Sequence, residues 1–145
     1  MANYIKLEIV TPEKAVVSED VQIVMAPGIC GEFGVLPGHT TFLTTLNIGV
    51  LKYIDKNGVE RKVFINGGFA EALPDKVTIL AESSERRRDI DVNRAKRALE
   101  RAERRLSGSS TAASGHDKHD LDLIRARAAM ARAMHRLRIV ESINH

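Results

Sequence analysis

Apolar and polar residues alternate with two different periods along this chain, and the change of period falls near residue 86. Ile5, Leu7 and Ile9 interleave with Lys6, Glu8 and Val10, and Val21, Ile23 and Met25 repeat the two-residue rhythm before Pro27-Gly28. That rhythm predicts half-buried strands. Gly49–Ile54 and Arg61–Ile65 flank Asp55-Lys56-Asn57-Gly58, and an Asn-Gly between β-branched runs predicts a hairpin, because both residues tolerate positive φ. Val77–Leu80 is one more short strand, entered from Pro74-Asp75. Short, frequent, turn-punctuated strands predict an antiparallel β-sandwich or barrel.

Beyond Ser83–Asp89, a polar stretch that reads as a linker, the period becomes helical. Val92, Ala95, Leu99, Ala102 and Leu106 are spaced 3, 4, 3, 4. Leu123, Ala126, Met130, Ala133, Leu137 and Val140 continue the same alternation. Both are narrow seams on otherwise polar helices. Ser107–His119 reads as a flexible loop between them, so the pair predicts an antiparallel helical hairpin. The expected fold is therefore α+β: a sandwich over 1–85 and a two-helix hairpin over 86–145. The alanines bring the helices close but bury little area, at roughly 25 cal/mol per Å² of apolar surface. Such a hairpin is marginal by itself and able to exchange one packing surface for another.

Composition sharpens the boundary. Of 145 residues, 43% are hydrophobic and 28% charged, with a formal net charge of +3. Residues 1–85 carry 7 Lys and Arg against 11 Asp and Glu, whereas residues 86–145 carry 15 against 8. The halves face different electrostatic partners. All prolines and aromatics precede residue 86. The single Cys30, beside Glu32, excludes an intramolecular disulfide and lacks the electropositive setting of a reactive thiol. No apolar run reaches the roughly 18 residues of a membrane span, and no signal pattern opens the chain, so any membrane connection is expected to run through partners.

The usual chemistry is missing. There is no phosphate-cradling glycine loop, no HExxH, and no nucleophile–base set. His116 and His119 lack further ligands, since a zinc site needs about four. His39 could be a base, a loop hydrogen-bond partner or part of an interface. The basic helices contain no aromatic residue to stack bases, so a protein with an acidic surface fits them better than nucleic acid. A solvated face with pairs such as Glu100–Arg104 also accounts for them. Arg94, Arg101 and Arg105 share one helix face, and Arg132 and Arg136 share a face of the next helix. A hairpin would let five guanidiniums converge, and their planar forks suit phosphate oxygens. The helices also repeat each other 31 residues apart: Asp91-x-x-Arg94-Ala95 matches Asp122-x-x-Arg125-Ala126, and Arg105-Leu106 matches Arg136-Leu137. Asp91 either caps the first helix or accepts a hydrogen bond from an adenine amino group.

Gly31-Glu32-Phe33-Gly34-Val35-Leu36-Pro37-Gly38-His39 and Asn66-Gly67-Gly68-Phe69-Ala70-Glu71, followed by Asp75–Glu82, resemble the epsilon subunit family of bacterial F-type ATP synthases. The resemblance runs in order over nearly the whole chain; the Ser107–His119 loop is its least typical part. It implies a non-catalytic rotor subunit, peripheral on the cytoplasmic face of the bacterial inner membrane. The sandwich would dock on the gamma subunit and the c-ring, with Glu32, Phe33, Pro37, Gly38 and His39 as interface candidates. The helical tail would lie folded down, or extend to the alpha and beta subunits and inhibit ATP hydrolysis. Some members of the family bind ATP in the folded tail through an Ile/Leu-Asp-x-x-Arg-Ala motif and later arginines. Ile90, Asp91, Arg94, Ala95, Arg101, Arg105, Arg132 and Arg136 match that pattern, and Glu85 stands at the preceding acidic position. The resemblance thus implies ATP as a regulatory ligand, with or without Mg²⁺, and no required cofactor. The alternatives are a free-standing ATP-sensing module and a basic-helix binding module.

Overall fold

The computed structural model describes residues 3–108 and 116–142. Seven strands come first: β1 (Ile5–Val10), β2 (Ala15–Gly28), β3 (Gly31–Val35), β4 (Phe42–Asp55), β5 (Glu60–Ala72), β6 (Lys76–Ala81) and β7 (Ser84–Arg86). A 3-10 turn at Arg87–Asp89 leads to α1 (Val92–Ser107), and α2 (His116–Glu141) follows. The strand order is β1-β6-β5-β4-β2-β3, and β1 also pairs with β2, so the sheet closes on itself as a flattened barrel. Closure gives β1, β6, β5, β4 and β2 a neighbour on both sides and leaves only β3 and β7 with one each. Most neighbours are antiparallel, but β1 and β6 run parallel, with Leu7 opposite Val77 and Ile9 opposite Ile79. Nothing local in either segment encodes that pairing.

The interior follows the two-residue period. Ile5, Leu7, Ile9, Val21, Leu51, Val63, Ile65, Val77 and Ile79 all lie in one buried cluster, with Tyr53 among them. The β4–β5 hairpin closes as its turn sequence predicts: Gly58 has φ 79°, and its N–H donates to the Asp55 carbonyl at 3.0 Å. The Asp55 carboxylate fixes the rest, accepting from the backbone N–H of Asn57 at 2.9 Å and of Val59 at 3.0 Å and from Arg61 Nε at 3.1 Å. Gly68 has φ 124°, and a Cβ there would run into the Leu80 carbonyl oxygen, so only glycine lets β5 and β6 meet at that point.

Two expected loops are shorter than the sequence suggests. Ser83–Asp89 is not a linker: β7 pairs with β5, Arg86 opposite Val63 and Ser84 opposite Ile65. The Ser84 hydroxyl donates to the Phe64 carbonyl at 2.9 Å, and Arg86 Nε donates to the Val16 carbonyl at 2.9 Å. Polar side chains that look solvated in sequence here satisfy backbone groups of the barrel. The loop after α1 also ends early, because α2 begins at His116 rather than beyond His119.

The helices pack as an antiparallel pair. Ala95, Ala102, Ala126 and Ala133 are buried, and Leu137 nearly so. α2 packs against α1 along this seam and against β4 and β5 along another face. The second contact centres on Phe64, Ile90 and Ile139, with Ile48, Val50 and Val140 around them. Val63, Phe64 and Ile65 are consecutive and all buried, because β5 is covered on both faces: by the barrel interior and by α2.

Candidate nucleotide site and its neighbours

Asp91 starts α1 in the extended conformation of a cap, and its Oδ1 accepts the Arg94 N–H at 3.0 Å. Capping fixes where the helix begins and so where Arg94 and Arg101 project. The antiparallel return of α2 brings Arg132 and Arg136 to the same place. A cavity of about 410 Å³ opens there, walled by Arg94, Ala95 and Arg101 of α1 and by Arg132 and Arg136 of α2. Glu85, Asp89 and Asp91 close it from the strand and turn before α1. Three carboxylates stand among the four guanidiniums and offset part of their charge. The firmest contact is Arg136 Nε to Glu85 Oε1 at 2.7 Å. The Arg136 guanidinium also lies 4.3 Å from the centre of the Phe64 ring. An ion pair on one side and an aromatic face on the other hold it in one orientation.

Two residues of the predicted set lie elsewhere. Arg105 is exposed and does not reach this cavity. Arg105 and Arg136 are equivalent in the 31-residue repeat, but an antiparallel hairpin sends equivalent positions in opposite directions. Arg136 lands by the barrel and Arg105 toward the far end. Ile90 is turned away and buried at 7% exposure against Phe64 and Ile139, where it anchors the segment rather than lining the cavity. Asp89 joins the cavity although no motif marked it; only its place in the turn beside Asp91 could have shown it.

The segment from 85 to 92 borders a second cavity of about 460 Å³. Glu85, Asp89 and Asp91 line the first cavity, whereas Arg86, Arg87, Arg88, Ile90 and Val92 line the second. Burial and neighbouring Glu19 push the Tyr53 hydroxyl, at its inner wall, up to about 12. A third cavity, of about 420 Å³, lies between α2 and β4 and includes Glu32, Lys52, Lys62, His135 and Arg138. Burial, then the charge of Arg138, holds His135 below its usual range.

The interface candidates fall in two places, Glu32 apart from Phe33 and His39. Strand alternation puts Glu32 into the third cavity, while Phe33 packs edge-on against Phe42 at 5.2 Å. His39 meets the same ring at 5.0 Å, and its Nδ1 lies 2.6 Å from the Thr40 carbonyl oxygen. Gly38 has φ 84° and donates its N–H to the Pro74 carbonyl at 2.7 Å, after Pro37. The sequence did not single out Leu43, Phe69 and Leu80, exposed at 71%, 54% and 55%. Phe69 pairs with Leu80, and Leu43 is opposite Glu71, so the three share the barrel's outer face. Their apolar residues one step out of phase with the buried set were the available signal. Cys30 is exposed. The side chains of His116 and His119 lie outside the described residues. Among those described, no cluster of three or more His, Cys, Asp or Glu side chains could hold a metal ion, and no helix is long and apolar enough to cross a membrane.

A closed β barrel carrying a folded-back two-helix hairpin, with an arginine-walled cavity between the helices, is the architecture to be placed among known proteins. The beta-sandwich domain of the ATP synthase delta/epsilon chain matches residues 4–87, and the long alpha-helix domain of the same chain matches residues 88–141. The ATP synthase epsilon chain of Desulfatibacillum aliphaticivorans is 63% identical over 112 residues, which is 77% of this chain and 79% of that one. That of Desulforapulum autotrophicum is 64% identical over 110 residues, covering 76% and 82%. A chain of the Euglena gracilis mitochondrial ATP synthase shares the fold with a TM-score of 0.75 at 23% identity, over 92% of this chain and 79% of that one. The chain belongs to the ATP synthase delta/epsilon family, and its function is that of an epsilon-type subunit of the rotary ATP synthase.

Proposed function

We propose that the chain is a non-catalytic central-stalk subunit whose helical tail is a switch held down by ATP. The carrying observation is that Glu85, Asp91, Arg94, Ala95, Arg101, Arg132 and Arg136, named by the motif, line one cavity of about 410 Å³ formed only when the helices fold back. Phosphate oxygens would take the guanidinium forks, and the Glu85 and Asp91 carboxylates can accept from an adenine amino group. ATP here is a regulatory ligand, so bound ATP stabilises the folded tail by mass action, and low ATP releases it. The released, basic tail would reach the alpha and beta subunits and inhibit hydrolysis. The exposed Leu43, Phe69 and Leu80 fit a protein interface, and we assign that face to the gamma subunit, with the Pro37–His39 turn nearer the c-ring. The subunit then sits at the membrane through its partners, on the cytoplasmic face.

Calorimetric titration of the full chain with ATP tests the switch. Saturable heat is expected, and Arg94→Ala and Arg132→Ala should each weaken binding at least tenfold, about the 1.5–3 kcal/mol of a charge-assisted contact. Heat that is absent, or unchanged in both variants, overturns the proposal.

A further inference from the structure

The larger cavity beside the 85–92 segment is more cationic than the one between the helices. Arg61, Lys62, Arg86, Arg87 and Arg88 face it, against a single carboxylate, Glu60. The motif cavity sets four arginines against three carboxylates. The contrast is built by one short piece of chain, which sends its acidic side chains one way and its arginines the other. We propose that the larger cavity is a second site, for a small organic phosphate, separate from the nucleotide site between the helices.

Three observations support an anion with an organic part. First, the cations come from two separate parts of the chain, Arg61 and Lys62 from β5 and Arg86, Arg87 and Arg88 from the segment before α1, so the fold concentrates positive charge at this place. Second, three of the cations are already positioned by the fold. Arg61 is held by Asp55 at 3.1 Å, Arg86 by the Val16 carbonyl at 2.9 Å, and Arg87 donates through Nη2 to the Val140 carbonyl at 3.1 Å. Lys62 and Arg88 make no such bond among the described residues, so their full donor capacity is open to a ligand. Third, Val63, Ile90, Ile139 and Val140 give the cavity an apolar floor, and about 460 Å³ is within the range of sites for compact organic ligands.

A ligand there would touch three parts at once: β5 through Lys62, the segment before α1 through Arg88, and the last turn of α2 beside Val140 and Ser142. Occupancy would therefore favour the docked tail, independently of what fills the motif cavity.

The test uses the full chain and pyrophosphate as the probe. Pyrophosphate is titrated into wild type, into Lys62→Ala/Arg88→Ala, and into Arg94→Ala/Arg132→Ala. The expected result is a binding event that survives in the Arg94/Arg132 variant and weakens tenfold or more in the Lys62/Arg88 variant. ATP titration of the Lys62/Arg88 variant should stay within twofold of wild type at the motif cavity, which separates failure here from failure there. Equal pyrophosphate binding in wild type and the Lys62/Arg88 variant overturns the proposal, as does binding lost only in the Arg94/Arg132 variant. Sedimentation with phosphatidylglycerol vesicles that depends on Lys62 and Arg88, without a pyrophosphate response, would also overturn it and assign the patch to a membrane surface.

Discussion

Single residues here do two jobs, and Asp91 shows how to separate them. Its Oδ1 takes the Arg94 N–H at 3.0 Å, so it caps α1 as well as lining the cavity. Asp91→Ala should cost about 1 kcal/mol in urea unfolding, whereas Asp91→Ser should keep most of that stability. Both should weaken ATP binding if the carboxylate meets the ligand, and only the alanine variant should if capping is all that matters. Asp55 is a purer structural case. The Val59 N–H first, then Arg61 and the Asn57 N–H, hold its carboxyl below the usual range, against the effect of burial. A carboxyl whose pKa is lower in the folded state stabilises the fold above its unfolded value of about 3.9 and loses that contribution as pH falls through its folded value. Asp55→Asn should therefore lower the urea midpoint at neutral pH, and the two midpoints should converge as pH falls below about 3.9. Parallel curves over that range would sink the account. Both residues were legible in sequence because a cap and a turn are local: the partners lie within six positions. Asp89, Arg105 and the Phe64–Arg136 contact were not, because they depend on how the hairpin returns.

At the scale of elements, periodicity found the faces that meet a regular neighbour. The seam through Ala95, Ala102, Ala126 and Ala133 is buried as its spacing requires. A seam of small side chains has no room for larger ones, so Ala133→Leu should cost about 1–3 kcal/mol through overpacking. Hydrogen exchange locates that cost: α1 amides should exchange faster while β5 amides keep their protection, and uniform acceleration would mean that hairpin and barrel melt as one unit. The second apolar face of α2 escaped the pattern. Ile139 is 1% exposed, yet it lies outside the heptad and meets the barrel instead of α1. One helix serving two neighbours blurs any single period. The parallel β1–β6 pairing was invisible for another reason: it joins the two ends of the barrel sequence, and the strands' own residues would suit either direction. β7 was hidden by its charges, since Arg86 reads as solvent-facing until the Val16 carbonyl is beside it.

The whole molecule is a barrel with a helical hairpin docked on it, and the contact between them contains a titratable group. His135 of α2 shares a cavity with Glu32 of β3, Lys52 of β4, Lys62 of β5 and Arg138 of its own helix. Burial and then Arg138 disfavour its protonation. The three cations oppose a charge there, and Glu32 alone would attract it. When α2 undocks, the ring returns to water and an ordinary pKa near 6.5. The docked state thus prefers neutral histidine, a preference fully present above about pH 6.5 and lost as pH falls through the lower, docked value. Acidification should therefore loosen the tail without touching the barrel core. Protection factors for α2 amides, corrected for intrinsic exchange, should fall as pH drops below about 6.5, while those of β5 hold. His135→Gln keeps a polar, neutral side chain at the position and should flatten the profile. A wild-type profile already flat, or one just as steep in His135→Gln, would move the pH response to another group. Saturating ATP should oppose the loosening if the motif cavity and the barrel contact share one docking equilibrium, because a ligand that binds only the folded-back helices draws the population toward them. Acid and low ATP would then act on the same tail through contacts on different faces of α2: the seam toward α1 for the nucleotide, and the face toward β4 for the proton.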